Sequence, residues 1–540
     1  MQQRHLKHKQ TTKWLVLLTV SSAISSMTAL SAWADPARIS VEQFSKDPQK
    51  VATLQKGITK MRANSKANPK SAQYRTSFSY WANTHGFFGT GTNATNLQQY
   101  IAYRMPQCLS EYDKATCDDY YKHMANTNVP NDGFTNQVWG TCQHGNLYFL
   151  PWHRIFLHFF ERTLRKQSGN ANFALPYWNY YDNYDATLKG LSLPSLVRGV
   201  AAGTLYNQYR TPELNENKDL MDPSSADATQ AFQYTDFTSF SNQLQNQPHG
   251  AMHCAVGSGC TMPDIGFVPI AGLDPVFYMH HANIDRLWQC WIVKKAHGQT
   301  IDLAWAKANL GMPDSWYDQS YTFADENGKK AVRKVADVFN GTITVNYDNL
   351  SNCDAKPTAT NTVLAEQPVR LTSSLKKHQP MGTEKEITLG NSSVDVPLQP
   401  LSLPKTVNPE GTALTQGEAG QTYLTLEDVK LKGTPALTYK IFLSSKTNPK
   451  KSSYIATFSY FGLGPVGHAG HGGAPDSLGT LVYKVTANVA ELGITSASDA
   501  VVRFEPTNLM VSQKLKAQKE GDGVVVSNIR LETTPEQPQK

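Results

Sequence analysis

Two stretches of this 540-residue chain set histidines among large aromatic side chains: Phe149-Leu-Pro-Trp-His153-Arg-Ile-Phe-Leu-His-Phe-Phe160, and Asp274-Pro-Val-Phe-Tyr-Met-His280-His281-Ala-Asn-Ile-Asp-Arg-Leu-Trp288. A buried imidazole without a partner gives up its hydration and gains nothing, so each of these rings must be hydrogen-bonded or hold a metal. A fold that gathers several such rings meets that requirement best.

The surrounding pattern is helical. In Ser77-Phe-Ser-Tyr-Trp-Ala-Asn-Thr-His85-Gly86, Phe78 and Trp81 share a helical face with His85, and Gly86 reads as a stop. Phe149 to Leu164 makes a second helix with Pro151 near its first turn. A third is predicted from about Asp274-Pro275 to Lys295. Residues 35–350 therefore read as a mainly α domain, a helical bundle. Residues 351–420, rich in Thr, Pro, Ser, Lys and Gln, read as a linker with a few short strands. Strand-like runs follow at Tyr423–Leu431, Tyr439–Leu443, Tyr454–Phe461, Thr480–Thr486, Val501–Phe504 and Val524–Leu531, which predicts a small β-sandwich over residues 421–534.

Residues 1–34 read as a signal peptide: Arg4, Lys7, Lys9 and Lys13 precede the apolar run Trp14 to Val20, and Ala32-Trp33-Ala34 offers a cleavage site. The chain is thus expected to be exported, without a membrane span. Removing those four basic residues lowers the formal charge from +7 to about +3, so neither nucleic acid nor an anionic membrane is an expected partner. Seven Cys in an oxidising compartment suggest disulfides, with Cys108–Cys117 and Cys254–Cys260 near enough in sequence to close short loops. Seven is odd, so one Cys has another role.

His249 and His253 stand at i and i+4 on a helix predicted after Pro248, projecting to one side as two ligands of one metal must. Position 250 is Gly, so this is not the His-Glu-x-x-His motif of zinc proteases. Asp285, one turn beyond His281, is placed to accept a hydrogen bond from a ligand's free ring N–H. His144 and His153 lie in Thr141-Cys-Gln-His-Gly-Asn-Leu-Tyr-Phe-Leu-Pro-Trp-His-Arg154. Clusters made only of imidazoles suit copper.

Pro-Trp-His153-Arg, and Asp274-Pro-x-Phe-x-x-His-His281-x-Asn-x-Asp-Arg-x-Trp, resemble the two copper signatures of tyrosinases, catechol oxidases and molluscan hemocyanins. The resemblance runs from about Leu54 to Tyr347. It implies a binuclear copper site, O₂ as co-substrate and oxidation of small phenols to o-quinones. It also implies that His85, His144 and His153 hold one copper and His249, His253 and His281 the other. His123 competes with His85. His85 is preferred because its helix, ending in His-Gly, is similar to the family's first ligand helix. Helical facing does not separate His280 from His281, and His281 rests on the resemblance alone. Cys142, two residues before His144, matches a position that forms a thioether to the ligand imidazole in fungal relatives, which accounts for the odd Cys. His158, His297 and His378 read as ordinary packed or surface residues, and His468 and His471 as part of a loop.

Tyr321-Thr-Phe-Ala-Asp-Glu-Asn-Gly, then Val332-Arg-Lys-Val-Ala-Asp-Val338, Tyr347, Tyr439-Lys-Ile-Phe and the closing strands, are similar to the linker and C-terminal domain of plant polyphenol oxidases, which implies that this half covers the site and keeps the enzyme latent. Reversible O₂ carriage, as in hemocyanins, uses the same metal site, but one site per chain without tandem repeats favours an enzyme. A zinc hydrolase is disfavoured by six histidines and no carboxylate base. In the family, an acidic residue before the second copper's first His and an Asn after it are linked to hydroxylation of monophenols. Here those positions are Gln245 and Gly250, so oxidation of o-diphenols is expected over efficient monophenol hydroxylation.

Overall fold

The helix carrying His280 and His281, Pro275–Ala296, is fixed at its first turn by its own cap: the Asp274 side chain accepts from Val276 N–H, and Pro275 occupies the position where a missing N–H costs least. The Asp274 carboxylate is also held by Arg210 through two bonds, Nε to Oδ2 at 2.7 Å and Nη2 to Oδ1 at 2.6 Å, with both side chains fully buried. Arg210 spends its remaining donors on the carbonyls of Val197 and Leu205 and on Asn215 Oδ1.

The computed structural model describes residues 36–534 except for segments 88–97, 123–129, 261–263, 354–380, 383–385, 401–419, 463–476 and 516–519 and scattered positions beside them. The expected signal peptide lies outside the described residues, as do His123, His378, His468 and His471. Among the described residues no helix is long and apolar enough to cross a membrane.

Helix α1 (Pro48–Asn64), α2 (Phe78–His85), α3 (Phe149–Ser168), α4 (Phe237–Leu244), α5 (Ala251–Val256) and α6 (Pro275–Ala296) build the N-terminal half. Ser77 caps α2 by accepting from Tyr80 N–H. Gly86 ends it for a steric reason as well: a Cβ there would stand 2.5 Å from Pro269 Cα, so only glycine lets the 268–269 backbone cross this helix end. Aromatic rings lock α2, α3 and α6 together, with Phe160 stacked on Tyr278 at 3.6 Å and Trp81 set edge-on to Phe156 at 5.6 Å. Asp285 lies in a buried network, accepting from Arg154 Nε (2.6 Å), Tyr347 Oη (2.6 Å) and Arg38 Nη1 (3.2 Å).

The C-terminal half is a sandwich with a core of its own, built by inward residues at every second position, as in Tyr439, Ile441 and Leu443. After a small hairpin of β1 (Ser320–Ala324) and β2 (Lys330–Lys334), its strands are β3 (Met381–Gly382), β4 (Ile387–Leu389), β5 (Val394–Pro397), β6 (Gln399–Pro400), β7 (Thr422–Lys432), β8 (Thr438–Ser445), β9 (Ser452–Phe458), β10 (Ser477–Lys484), β11 (Ala500–Thr507), β12 (Gly523–Val526) and β13 (Asn528–Thr533). One sheet has the order β9-β8-β11-β5. The other runs β4-β12-β7-β13-β3-β6, with β10 also paired to β7. Strands β3 to β6 fall in the segment expected to be a linker; β3, β4 and β5 pair with strands after residue 421 and β6 pairs with β3, so the sandwich begins before residue 421. Disulfides join Cys108–Cys117 and Cys254–Cys260 as expected, and Cys290–Cys353 as well, leaving Cys142 as a buried thiol.

Replacing one partner of a buried ion pair leaves the other charge uncompensated, at a cost of about 3–5 kcal/mol. Arg210→Met is expected to lower the unfolding free energy by that amount, read as a lower denaturant midpoint at unchanged slope.

Candidate metal centre

The fold brings His85, His144, His153, His249, His253 and His281 into one cluster, all buried except the half-buried His144. The first trio has ring centroids 5.1–5.5 Å apart, and the second 4.7–5.5 Å. The trios meet where His153 stacks on His281 at 4.5 Å. His85 ends α2, His153 stands in the first turns of α3, and His281 lies on α6. His249 and His253 flank the start of α5, after Gln247 breaks the helix with an extended backbone (φ −145°, ψ 124°).

Four of these rings are aimed by the backbone. Nδ1 of His85 donates to Val268 O (3.1 Å), that of His153 to Phe149 O (2.7 Å), that of His249 to Gln245 O (2.9 Å) and that of His253 to Ile265 O (2.6 Å). A carbonyl oxygen only accepts, so Nδ1 carries the hydrogen and Nε2 the lone pair. The crossing that Gly86 permits is the one that brings Val268 O to His85.

Asp285 does not orient a ligand ring, contrary to the sequence expectation. Its two oxygens are taken by Arg154, Arg38 and Tyr347, because a buried carboxylate is stabilised by cationic donors more than by a neutral imidazole. The orienting partners are main-chain carbonyls, which residue types do not reveal. The structure also adds His280 to the second group, its ligand atom within 4.8 Å of those of His249, His253 and His281. His280 Nδ1 is 2.8 Å from Tyr180 Oη. The doublet of histidines was the signal, but helical facing alone did not put both rings in the site.

Nε2 of His249 and of His280 is buried without a hydrogen-bond partner, and with no carboxylate in either group the donors are imidazoles and one thiol. Neutral nitrogen donors of this kind fit copper. Cys142 Sγ lies 3.4 Å from His144 Nδ1 and 3.6 Å from His153 Nε2. Gln245 Oε1 accepts from Gly145 N–H (3.1 Å), beside His144. His158 and His297 stand outside both groups, His297 as the left-handed cap of α6.

The sandwich reaches the second trio. Phe461, just beyond β9, stacks on His253 with centroids 3.9 Å apart and planes 11° from parallel. A Cβ at Gly250 would stand 2.5 Å from Ser459 Oγ, so a residue with a side chain there would push against this segment. No local sequence signal marks Phe461, whose partner lies some two hundred residues earlier.

Residues 75–219 and 194–294 match the family model for the common central domain of tyrosinase. A tyrosinase of Hahella sp. (strain CCB-MM4) is 26% identical over 379 residues, covering 64% of this chain and 74% of that protein. The latent form of a chloroplastic polyphenol oxidase from Prunus armeniaca is 24% identical over 416 residues, covering 70% of this chain and 64% of that one. The chain thus spans about three quarters of the first relative's length and just under two thirds of the second's. Among solved structures, a latent aurone synthase (polyphenol oxidase) from natural source shares the fold, with a TM-score of 0.54 at 18% identity over 94% of this chain and 91% of that one.

Burial holds the second group neutral. His249 is pushed down to about 3 by desolvation, against the Gln245 carbonyl, which raises it. His253, His280 and His281 are held well below 6.5 by desolvation first and by neighbouring imidazoles second. Unfolding lets each ring take up a proton below pH 6.5, so the unfolded state gains as pH falls through that value. The metal-free chain is expected to lose about 1.4 kcal/mol per pH unit for each fully shifted ring below that pH, and to vary little above it on this account. Denaturant midpoints on either side of it check the slope.

Proposed function

The central domain of this chain, residues 75–294, belongs to the tyrosinase family of binuclear copper oxidoreductases, and from that premise we propose that the protein oxidises o-diphenols to o-quinones with O₂. One observation carries the reading: two groups of imidazoles, four of them with Nε2 freed by a backbone carbonyl, meet face to face. His85, His144 and His153 would hold one copper and His249, His253 and His281 the other. Bound there as a pair, the coppers would supply the O₂ chemistry and accept electrons from the phenol.

The chain's own residues do the rest. Each Nδ1–H bond keeps its ring in the tautomer that leaves Nε2 for metal. The burial that keeps the second trio's rings neutral preserves their lone pairs. Cys142 is close enough to His144 for the thioether we assign to that pair, which would fix the one ligand ring whose Nδ1 faces sulfur. In the intact chain Phe461 covers the second trio, where a phenol ring would otherwise lie. We accordingly read the sandwich as a cover that keeps the enzyme latent, and residues 1–34 as a leader that exports it.

The loaded protein is expected to carry two coppers per chain and to oxidise catechol. His85→Ala or His249→Ala should each remove a copper and abolish turnover. Phe461→Ala, or cleavage within 354–380, ahead of the first sandwich strand, should raise catechol oxidation several-fold in protein with full copper. Metal analysis beside O₂ uptake checks all of these. Full activity in His85→Ala with loss in His123→Ala would overturn the ligand set.

Substrate choice rests on a side chain that cannot take a proton. A monophenol has a pKa near 10 and must be deprotonated before it binds metal. The amide of Gln245 does not serve as a base. Gln245→Glu keeps the acceptor that holds Gly145 N–H and adds a carboxylate beside His249. The ratio of monophenol to diphenol turnover, followed on tyrosine-like and catechol substrates, is expected to rise in that variant. A parent enzyme equally fast on both would show that the base lies elsewhere.

A further inference from the structure

The segment that carries the second trio's first ligand faces the sandwich as well as the metal. Strands β9 and β10 border their sheets, and residues 230–247 of the helical half take up their outward backbone groups. Tyr234 Oη donates to Val482 O (3.0 Å), Gln243 Nε2 donates to the same oxygen, and Gln230 Nε2 donates to Lys484 O (3.4 Å), all on β10. On β9, Thr457 N–H donates to Gln247 Oε1 (3.0 Å), and Gln247 Nε2 donates to Tyr454 Oη (2.9 Å). The other Nε2 hydrogen of Gln247 goes to Ser224 O in the helical half.

Gln247 is the point where this arrangement bears on the metal. Its backbone is extended, so the regular helical ladder is broken between α4 and α5. Two residues before it, Gln245 O receives His249 Nδ1–H; two residues after it comes His249 itself. The side chain is buried, and two of its three hydrogen bonds go to β9. Gln245 O, like the carbonyls that aim His85 and His153, belongs to the helical half, but it lies two residues from a side chain held by β9.

We propose that Gln247 is a positioning residue for the second copper, and that through it the sandwich retains that metal as well as covering it. The inference rests on the two-copper reading above. It implies that displacing the sandwich opens the site and loosens one of its two coppers at the same time.

The test uses the full-length, oxidised, copper-loaded protein and a graded series of EDTA concentrations. In Gln247→Ala one copper equivalent is expected to dissociate with an affinity up to about tenfold weaker, the low end of what losing a ligand's own outer partner costs, because Gln247 acts through the backbone that carries Gln245 O, while the other is unchanged. The remaining lone Cu(II) should give an electron paramagnetic resonance spectrum like that of His249→Ala, which keeps only the first site. Tyr454→Phe removes a single hydroxyl from the sandwich side and should loosen the same copper to a smaller degree. If Gln247→Ala does not fold, Tyr454→Phe decides by the same readout. Equal weakening of both coppers, or of neither, overturns the inference. A parent protein that never holds two coppers overturns the two-copper reading itself, a distinct result.

Discussion

An imidazole whose Nδ1–H is bound to a main-chain carbonyl has one lone pair left, and the direction of that lone pair is set by the backbone. Four rings here are fixed in this way, by Val268, Phe149, Gln245 and Ile265. The accuracy of the site is therefore inherited from turns and helix ends. The clearance at Gly86 admits Val268 O to His85, the Arg210–Asp274 clamp fixes the start of α6, and the ring stack between Phe160 and Tyr278 ties α3 to α6. A centre built from charged orienting groups would need their counter-ions buried too. Here the charges are kept apart, in the network around Asp285.

The helices were legible because each declares itself locally. Gly86, Pro151 and the Asp274-Pro275 pair are stop and first-turn signals, and α2, α3 and α6 fall within a few residues of where those signals put them. The long strands were legible by alternation, β7 to β11 above all. Strands of two to four residues, such as β3 and β6, carry too few positions for a pattern and exist only because a partner strand supplies their hydrogen bonds. The same limit hid the break at Ser527 that divides the last predicted strand into β12 and β13.

At the site, the six histidines that the fold gathers were named by the family resemblance, and helical spacing by itself paired only His249 with His253. What surrounds those rings was not legible. Asp285 stood at the right helical spacing for a ligand's partner, yet two guanidinium groups and a phenol from distant segments claim it. Phe461 and Gln247 matter through contacts with residues some two hundred positions away, and nothing in their own neighbourhood distinguishes them from other sandwich or loop residues.

The capping of β9 and β10 by side chains of the helical half has a consequence for the fate of the sandwich itself. A strand at the margin of a sheet presents unpaired N–H and C=O groups that will pair with any other strand offered to them. In the intact chain Gln247, Tyr234, Gln243 and Gln230 occupy several of those groups. A sandwich cut loose would carry two open margins into solution, one of them beside the apolar surface that had faced the helices, and would be prone to self-association into insoluble aggregates.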